Sequence, residues 1–215
     1  MDALRLSLVA SNLFLGGTSF ITFVESLRTT STATRHVMNL ETAVSLVASI
    51  AYGYLTKMNE QKPDDYDSLT FVRYADWVVT TPLLLLAMSL FLAGDELGDG
   101  GLRGLSVSLV VALDLLMLAL GFLGEVRRKD RARLGAASFV VFGVLFTYLY
   151  VVLARHSERA GVFYFVTAVW GLYGVLYYWK DPVAKNIAYN ALDVVSKVCV
   201  GLYFWLVAAG LRLFV

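Results

Sequence analysis

The chain has 215 residues and a net charge of +1; 58% of its residues are hydrophobic and 16% are charged. Its mean hydropathy of +0.67 is too high for an ordinary soluble domain and is typical of an integral membrane protein. The near-neutral charge gives no support for nucleic-acid binding. A single cysteine, Cys199, excludes an intrachain disulfide, and with only two isolated histidines we expect no metal site.

Seven apolar segments follow one another along the chain, each long enough for the roughly 20 residues that cross a bilayer. The first continues to Leu27, which favours a membrane span over a cleaved signal peptide. The seven spans use nearly the whole chain and predict one all-α domain over residues 1–215, a seven-transmembrane helix bundle. They cover residues 6–28, 36–58, 68–93, 103–125, 132–154, 160–180 and 184–214.

The second span carries polar side chains among its apolar residues. Glu41, Thr42, Ser45 and Ser49 put polar groups along one side of the predicted helix. Such a row can line an ion path, but a glutamate near a helix end can also extend its carboxylate into interfacial water. We expect this second behaviour of Glu41.

The third and fourth spans contain ionisable residues at membrane depth. Such residues cost about 2.5 to 3.5 kcal/mol each and by default mark a functional site. The third span has Arg73 and Asp76 in the segment RYADWVVTTPLLLL, and the fourth has Asp114. Asp76, Thr80 and Leu84 share one stripe of the third helix, because each is four residues from the next.

The sixth and seventh spans combine aromatic rings with a buried lysine. Trp170, Tyr173 and Tyr177 are three and four residues apart in WGLYGVLYYW, and Asp193 precedes Lys197 by four residues in ALDVVSKVCVGLYF. A structural salt bridge and an aromatic core would explain these features. A lysine amine among acids and aromatic rings is also what a Schiff base with an aldehyde cofactor requires, since the acids stabilise the charged iminium.

Segments on three helices together resemble the microbial (type 1) rhodopsins, the bacteriorhodopsin-like retinal proteins. RYADWVVTTPLLLL is close to the signature of the family, and LDVVSK carries the aspartate and lysine at the family's spacing. ALDLLMLALGFLG places Asp114, Met117 and Gly121 where the family lines the retinal ring. The resemblance extends from the second span to the seventh, whereas the first span matches only in length.

The resemblance implies a role for each of the buried charges. Lys197 would bind all-trans retinal covalently as a protonated Schiff base. Asp76 would be its counterion and proton acceptor, and Asp193 would be the second counterion. Arg73 would lie on the extracellular side of this pair, and the hydroxyl of Thr80 would bond the acid of Asp76.

The resemblance also implies a retinal pocket deep in the bundle. Leu84 matches the residue of green-absorbing relatives, which implies absorption of green light. Tyr54 is a candidate for the hydrogen-bonded cluster near Asp193. The pocket would be formed by Trp77, Thr81, Leu84, Met117, Gly121, Trp170, Tyr173 and Tyr177.

Three positions depart from the family pattern. Ala87 stands eleven residues after Asp76, where proton-pumping members carry a carboxylic donor. We therefore expect slow return of the proton, from bulk water or from a distant group such as Glu41. Lys185 falls where bacteriorhodopsin carries proton-releasing glutamates, so release would need another route. Gly174 replaces a proline and permits a bend without enforcing one.

The resemblance implies a light-driven outward proton pump and no enzymatic activity. A photosensor that signals through a transducer and a light-gated ion channel are the alternatives. The expected partners are the lipid bilayer, protons and copies of the same chain in a trimer or pentamer. The small residues of LGAAS in the fifth span could pack against such a neighbour.

Two arguments about orientation disagree. The positive-inside rule, applied to the lysines and arginines of the loops, puts the N-terminus in the cytoplasm. That result depends on one cluster, EVRRKDRAR, between the fourth and fifth spans. The family resemblance puts the N-terminus outside, and we expect an extracellular N-terminus because motifs on several helices support the resemblance.

Overall fold

A computed structural model of the chain describes residues 2–94 and 105–210, so residues 103–104 and 211–214 of the predicted fourth and seventh spans lie outside the described residues. Within the described ranges the regular structure is helical. The α-helices are α1 Ala3–Arg28, α2 Thr32–Gln61, α3 Tyr66–Ala93, α4 Val107–Val126, α5 Arg131–Val152, α6 Ala160–Tyr177, α7 Pro182–Asp193 and α8 Val200–Ala208. A π-helical segment, Val194–Cys199, joins α7 to α8, so these three elements form the seventh span.

The prediction of a seven-helix membrane bundle is confirmed. Six of the described helical stretches are long and apolar enough to cross a membrane, namely all the spans except α2. Helix α2 is less apolar because it carries polar residues such as Glu41 and Asn59 on its buried face. Its 30 residues nevertheless reach about 45 Å at 1.5 Å per residue, and it packs along α1 and α3.

Short polar side chains begin most of the spans. An oxygen of each capping side chain accepts a hydrogen bond from a main-chain N–H of the first helical turn, which would otherwise have no partner. Helix α7 additionally begins with Pro182, whose fixed φ suits the first helical position. The capping residues are Asp2, Ser31, Asp65, Ser106 and Asp181.

The interior of the bundle differs between its two ends. We call the end that holds the start of α1 the N-terminal side, and the end that holds the α1–α2 connection the far side. An apolar cluster fills the far half between α2, α3, α5, α6 and α8, and it includes Leu84, Ala87, Phe91, Phe146 and Phe204. A smaller cluster around Leu8, Leu55 and Leu69 packs α1, α2 and α3 on the N-terminal side.

Two spans deviate from regular α-helix near the centre of the bundle. Pro82 lies inside α3, where its missing N–H removes one main-chain hydrogen bond. The π-helical segment contains Lys197. Single π-turns inside α-helices are rare and frequently occur at functional sites. The two irregularities therefore point to the middle of α3 and of the seventh span.

Candidate functional site

Lys197 is buried at the centre of the bundle, with 1% of its surface exposed. Its Nζ lies 2.5 Å from Oδ2 of Asp76 on α3 and 3.9 Å from Oδ1 of Asp193, one turn earlier in its own span. Both carboxylates are also buried. The structure therefore brings together the lysine and the two acids that the sequence analysis singled out.

Asp193 is surrounded by hydrogen-bond donors. Tyr52 and Tyr173 donate their hydroxyls to it over 2.7 and 2.6 Å. Trp77 Nε1 and the guanidinium of Arg73 donate over 3.2 and 3.4 Å. Because four donors from three other helices reach its two oxygens, the ionised form of Asp193 is well stabilised.

Asp76 has fewer partners. Its Oδ2 accepts the hydrogen bond from Lys197, whereas its Oδ1 has no hydrogen-bond partner among the described residues. The hydroxyl of Thr80 donates to the main-chain oxygen of Asp76 over 3.0 Å. The expectation that Thr80 bonds the acid is therefore wrong, because a threonine in a helix readily bonds the carbonyl four residues earlier.

Arg73 is held on the N-terminal side of the two acids by neutral groups. Its guanidinium donates to the side-chain oxygens of Asn190 and Asn186 over 2.7 and 3.3 Å, and to the Tyr52 hydroxyl over 3.1 Å. Asn190 in turn donates to the Ser7 hydroxyl over 2.8 Å. With Arg73 and Lys197 facing Asp76 and Asp193, positive and negative charges balance in the buried cluster.

The tyrosine of α2 that bonds Asp193 is Tyr52, not the predicted Tyr54. Tyr54 is 57% exposed on the outer surface of the bundle. Two positions correspond to about 200° of rotation in an α-helix, so the two side chains point in nearly opposite directions. Tyr52 continues the buried stripe of Ser45 and Ala48, and this spacing could have identified it.

A cavity extends from Lys197 between α3, α4, α5 and α6. About 810 Å³ within it and at its opening is free of protein atoms. All eight predicted pocket residues line it together with Lys197. Sequence reasoning missed several other lining residues, among them Tyr74, Leu118, Ser138, Phe139, Phe142 and Tyr189.

Glycines bring the walls of this cavity close together. A Cβ atom at Gly121 would lie 2.9 Å from the Tyr74 hydroxyl, and one at Gly174 would lie 2.6 Å from the Phe139 ring. A larger residue at either position would displace these rings. The two glycines therefore preserve the shape of the aromatic wall.

Asp114 braces α4 against α3 beside the cavity. Its Oδ2 lies 2.7 Å from the Thr81 hydroxyl, which also lies 2.8 Å from the main-chain oxygen of Trp77. A hydroxyl has one proton, so both contacts are satisfied when Asp114 is protonated and donates to Thr81. This bond joins α4 to α3 at the residue before Pro82, where α3 lacks one main-chain hydrogen bond.

Glu41 is fully buried, against the expectation that it extends to interfacial water. Its exposed fraction is 0%, and neither carboxylate oxygen has a hydrogen-bond partner among the described residues. A Cβ atom at Gly201 would lie 3.0 Å from its Oε2 and 3.2 Å from Thr18. Gly201 follows Lys197 by four residues, so the Glu41 carboxylate lies about one helical turn from the Lys197 backbone, toward the far side.

The polar residues of the second span do not form one row. Ser45 is buried on the same face as Glu41. Thr42 contacts Thr22 of α1 over 2.9 Å, and Ser49 donates to the Asn12 side chain of α1 over 2.7 Å. Half of the polar groups thus serve the α1–α2 contact, which weakens the argument for an ion path along α2.

Lys185 forms an ion pair on the N-terminal side. Its Nζ lies 2.5 Å from Oε1 of Glu125, the last acid of α4, and Arg131 lies 3.5 Å from the other oxygen. Arg131 also lies over the Tyr177 ring and donates to the Tyr177 main-chain oxygen. Glu125 is therefore held between two cations at the edge of the cavity.

Comparisons with known proteins identify relatives of this chain. The chain is 27% identical over 190 residues to the green-light absorbing proteorhodopsin of Gamma-proteobacterium EBAC31A08, covering 78% of this chain and 72% of that protein. It is 30% identical over 149 residues to archaerhodopsin-2 of Halobacterium sp. (strain aus-2), covering 61% and 54%.

Solved structures show the same fold. The crystal structure of viral rhodopsin OLPVRII superposes with a TM-score of 0.87 at 30% identity, covering 97% of this chain and 99% of that one. The proton pumping rhodopsin AR2 from the marine alga Acetabularia acetabulum superposes with a TM-score of 0.79 at 19% identity, covering 98% and 96%. The family model described as bacteriorhodopsin-like protein matches residues 3–211. The chain therefore belongs to the bacteriorhodopsin-like family.

Proposed function

We propose that this protein is a light-driven outward proton pump that binds all-trans retinal at Lys197. One observation carries the proposal: the buried amine has a carboxylate in contact with it, Asp76, and a second buried carboxyl group, Glu41, lies beside Gly201, one turn farther along the same span toward the far side. An acceptor and a donor on opposite sides of one nitrogen give proton transfer a direction. The name of one relative, a green-light absorbing proteorhodopsin, supports the light-absorbing part of the proposal.

The residues around Lys197 fit retinal. The cavity begins at its amine, and rings such as those of Trp77, Trp170 and Tyr173 line it, as an elongated apolar molecule requires. Lys197 would hold retinal covalently, and the walls would fix its orientation and exclude water. Attached there, retinal would supply absorption of visible light and a light-dependent proton affinity at Nζ.

Asp76 is the group that accepts the proton from Lys197 Nζ. Its Oδ2 lies 2.5 Å from that nitrogen, within the reach that proton transfer needs. Asp193 lies farther from the nitrogen, and its oxygens already accept four hydrogen bonds. These donors favour the ionised form of Asp193, so the proton goes to Asp76.

Glu41 is the group that returns a proton to Lys197 Nζ. Burying an ionised carboxylate without a partner costs several kcal/mol, and no described group bonds the oxygens of Glu41. Its side chain is therefore a neutral acid that holds a proton ready for transfer. Glu41 takes the role that Ala87 cannot fill, since the methyl side chain of Ala87 has no proton to donate. Ala87 is instead part of the apolar cluster of the far half.

The N-terminal side would be the extracellular one. From Arg73 a series of polar groups, Asn186, Asn190 and Ser7, leads toward the start of α1. Glu125 is already bound by Lys185 and Arg131, so we assign proton exit to the asparagine side. Uptake then occurs on the far side, and net transport is outward.

Light-driven current across a membrane tests the proposal. We expect an outward current at zero voltage that keeps its direction when the proton gradient is reversed, and none from Lys197→Ala. A current that reverses with the gradient would identify a channel. A coloured, light-responsive protein without any current would identify a sensor, for which a transducer would then be sought.

A further inference from the structure

The buried face of α1 changes its chemistry halfway along the helix. Toward the N-terminal side the buried residues are mainly leucines, at positions 4, 8 and 15. Toward the far side they are polar, and a transmembrane helix carries such groups only where neighbouring helices or function require them. These polar residues are Thr18, Ser19, Thr22, Glu25 and Ser26.

Hydrogen bonds within the helix account for the hydroxyls but not for the carboxylate. Thr18, Thr22 and Ser26 donate to main-chain oxygens of the preceding turn over 2.9, 3.0 and 2.7 Å. Glu25 is 7% exposed, and the structure shows no hydrogen bond or ion pair of its carboxylate with any described residue. It is a nearly buried acid without a structural task, close to the far end of α1.

Two hydroxyls lie between the level of Glu25 and the level of Glu41. Thr22 is three residues before Glu25, and its hydroxyl lies 2.9 Å from the hydroxyl of Thr42, the residue after Glu41 on α2. Thr18 is one further turn inward, and its methyl carbon Cγ2 rather than its hydroxyl adjoins Gly201 beside Glu41. Glu25 and Thr18 are seven residues apart, about 10 Å along the helix. The paired hydroxyls of Thr22 and Thr42 therefore lie between the two acids.

We propose that Glu25 reloads Glu41, taking a proton from water on the far side and passing it by way of the hydroxyls of Thr22 and Thr42. One proton enters at the Glu25 carboxylate and one arrives at the Glu41 carboxylate, so Glu25 is again ionised after each transfer. The inference rests on the proposed function, because it requires Glu41 to lose its proton in each cycle.

A cavity on the other face of α2 offers a competing entrance. It lies among the far ends of α2, α3, α6 and α8 and is lined by Met38, Phe91 and Arg159 among others. Met38, three residues before Glu41, lines this cavity with an apolar side chain and is 1% exposed. An apolar plug cannot relay a proton, whereas hydroxyls can both donate and accept one. The observations therefore favour the α1 route.

Time-resolved infrared spectroscopy of the retinal-loaded protein in lipid vesicles separates the steps. In the wild type the carboxylic-acid band of Glu41, assigned with Glu41→Gln, should disappear as Lys197 regains its proton and then recover. In Glu25→Gln the disappearance should keep its rate, and the recovery should slow by about tenfold or more, as expected on removing a positioned acid. Glu60→Gln is the matched control on the N-terminal side and should recover like the wild type.

A pair of threonine variants tests the route itself. Thr22→Val removes the hydroxyl and should slow the recovery of Glu41, whereas Thr22→Ser keeps it and should restore the wild-type rate. This pair also preserves the test if Glu25→Gln fails to fold, which the visible spectrum reports.

Three results would overturn the inference in distinguishable ways. A wild-type Glu41 band that never changes would remove Glu41 as donor, and the proposed return step with it. A band that changes and recovers equally fast in Glu25→Gln would remove only Glu25, and a changed rate in Met38→Ala would then identify the cavity as the entrance. Equal rates in Thr22→Val and Thr22→Ser would exclude the paired hydroxyls as the route.

Discussion

Two buried carboxyl groups on opposite sides of Lys197 have contrasting surroundings. Asp193, on the N-terminal side, accepts hydrogen bonds from two tyrosines, a tryptophan and an arginine. Glu41, on the far side, is equally buried but bonds to no described residue. Four donors stabilise a negative charge, whereas the surroundings of Glu41 penalise one. The same functional group thus has donors that stabilise its charge on one side and no such donors among the described residues on the other.

In the proposed function, this difference gives proton transport its direction. A proton would leave Lys197 toward the side rich in fixed charges and dipoles, where Arg73 and Asp193 would compensate for charge movement. It would be replaced from the side where an acid is more stable in its neutral form. This difference between the surroundings of Asp193 and Glu41 exists without a large conformational change on either side of Lys197. The following substitutions break or sharpen this contrast.

Lys197→Ala removes the amine that both halves face, and we expect the largest effect from it. Without the amine retinal has no covalent site, so the purified protein should show no visible absorption band after all-trans retinal is added. Absorption spectroscopy with washing to remove free retinal makes the measurement. A bound visible band that survives this change would show that another residue holds the chromophore.

Asp76→Asn removes the proposed proton acceptor of Lys197. Loss of a negative charge beside the Lys197 nitrogen narrows the gap between ground and excited states, so absorption at neutral pH should shift to the red. Fast proton transfer from Lys197 should be abolished, together with pumping. If the spectrum and its acid titration match the wild type, Asp193 or another group is the counterion.

Glu41→Gln removes the proposed proton donor on the far side. In the wild type we expect Lys197 to regain its proton quickly and at a rate independent of pH between pH 6 and 7. This revises the slow return expected from Ala87. In Glu41→Gln the lifetime should lengthen by about tenfold or more and should lengthen further as pH rises, because free protons become scarcer.

Flash photolysis of the state in which Lys197 lacks its proton measures these lifetimes. Added azide, a small diffusible acid, should shorten the lifetime of the Glu41→Gln variant. An unchanged lifetime in that variant would contradict the role of Glu41 and would favour bulk water as the source of the proton.

Leu84→Gln tests the wall of the cavity beside Lys197, and we expect the smallest effect from it. Leu84 is 2% exposed and lines the cavity. A polar amide there should move the absorption maximum to shorter wavelength while transport continues. Leu84→Met, of similar volume and polarity, is the matched control. An unshifted maximum in Leu84→Gln would show that this side chain does not face the chromophore.

The sequence predicted the central charges and the cavity better than the groups around them. Asp193 and Lys197 share a helix at a spacing of four, so their proximity follows from helical geometry. The partners of Arg73 were missed, although Asn186 and Asn190 precede Asp193 by seven and three residues and therefore lie on its face. Helical periodicity, applied to all of the seventh span, would have found them.

The burial of Glu41 could not be predicted from one sequence. Its distance from the end of α2 suggested access to water, but its exposure depends on how α1 and α8 close over it. The contact with Gly201 shows that the absence of a side chain on another helix creates its position. A single sequence contains no signal that connects residues 160 positions apart in this way.

The π-helical turn at Val194–Cys199 constrains any rebuilding of the seventh span. A π-turn contains one residue more than a regular α-helical turn. Deleting one of these residues would restore an uninterrupted α-helix and change the angle at which Lys197 projects relative to the residues before it. Lys197 would then no longer be aligned with Asp193 as it is in the π-turn. Chimeric proteins that exchange this span should therefore preserve its exact residue count, even where they change its side chains freely.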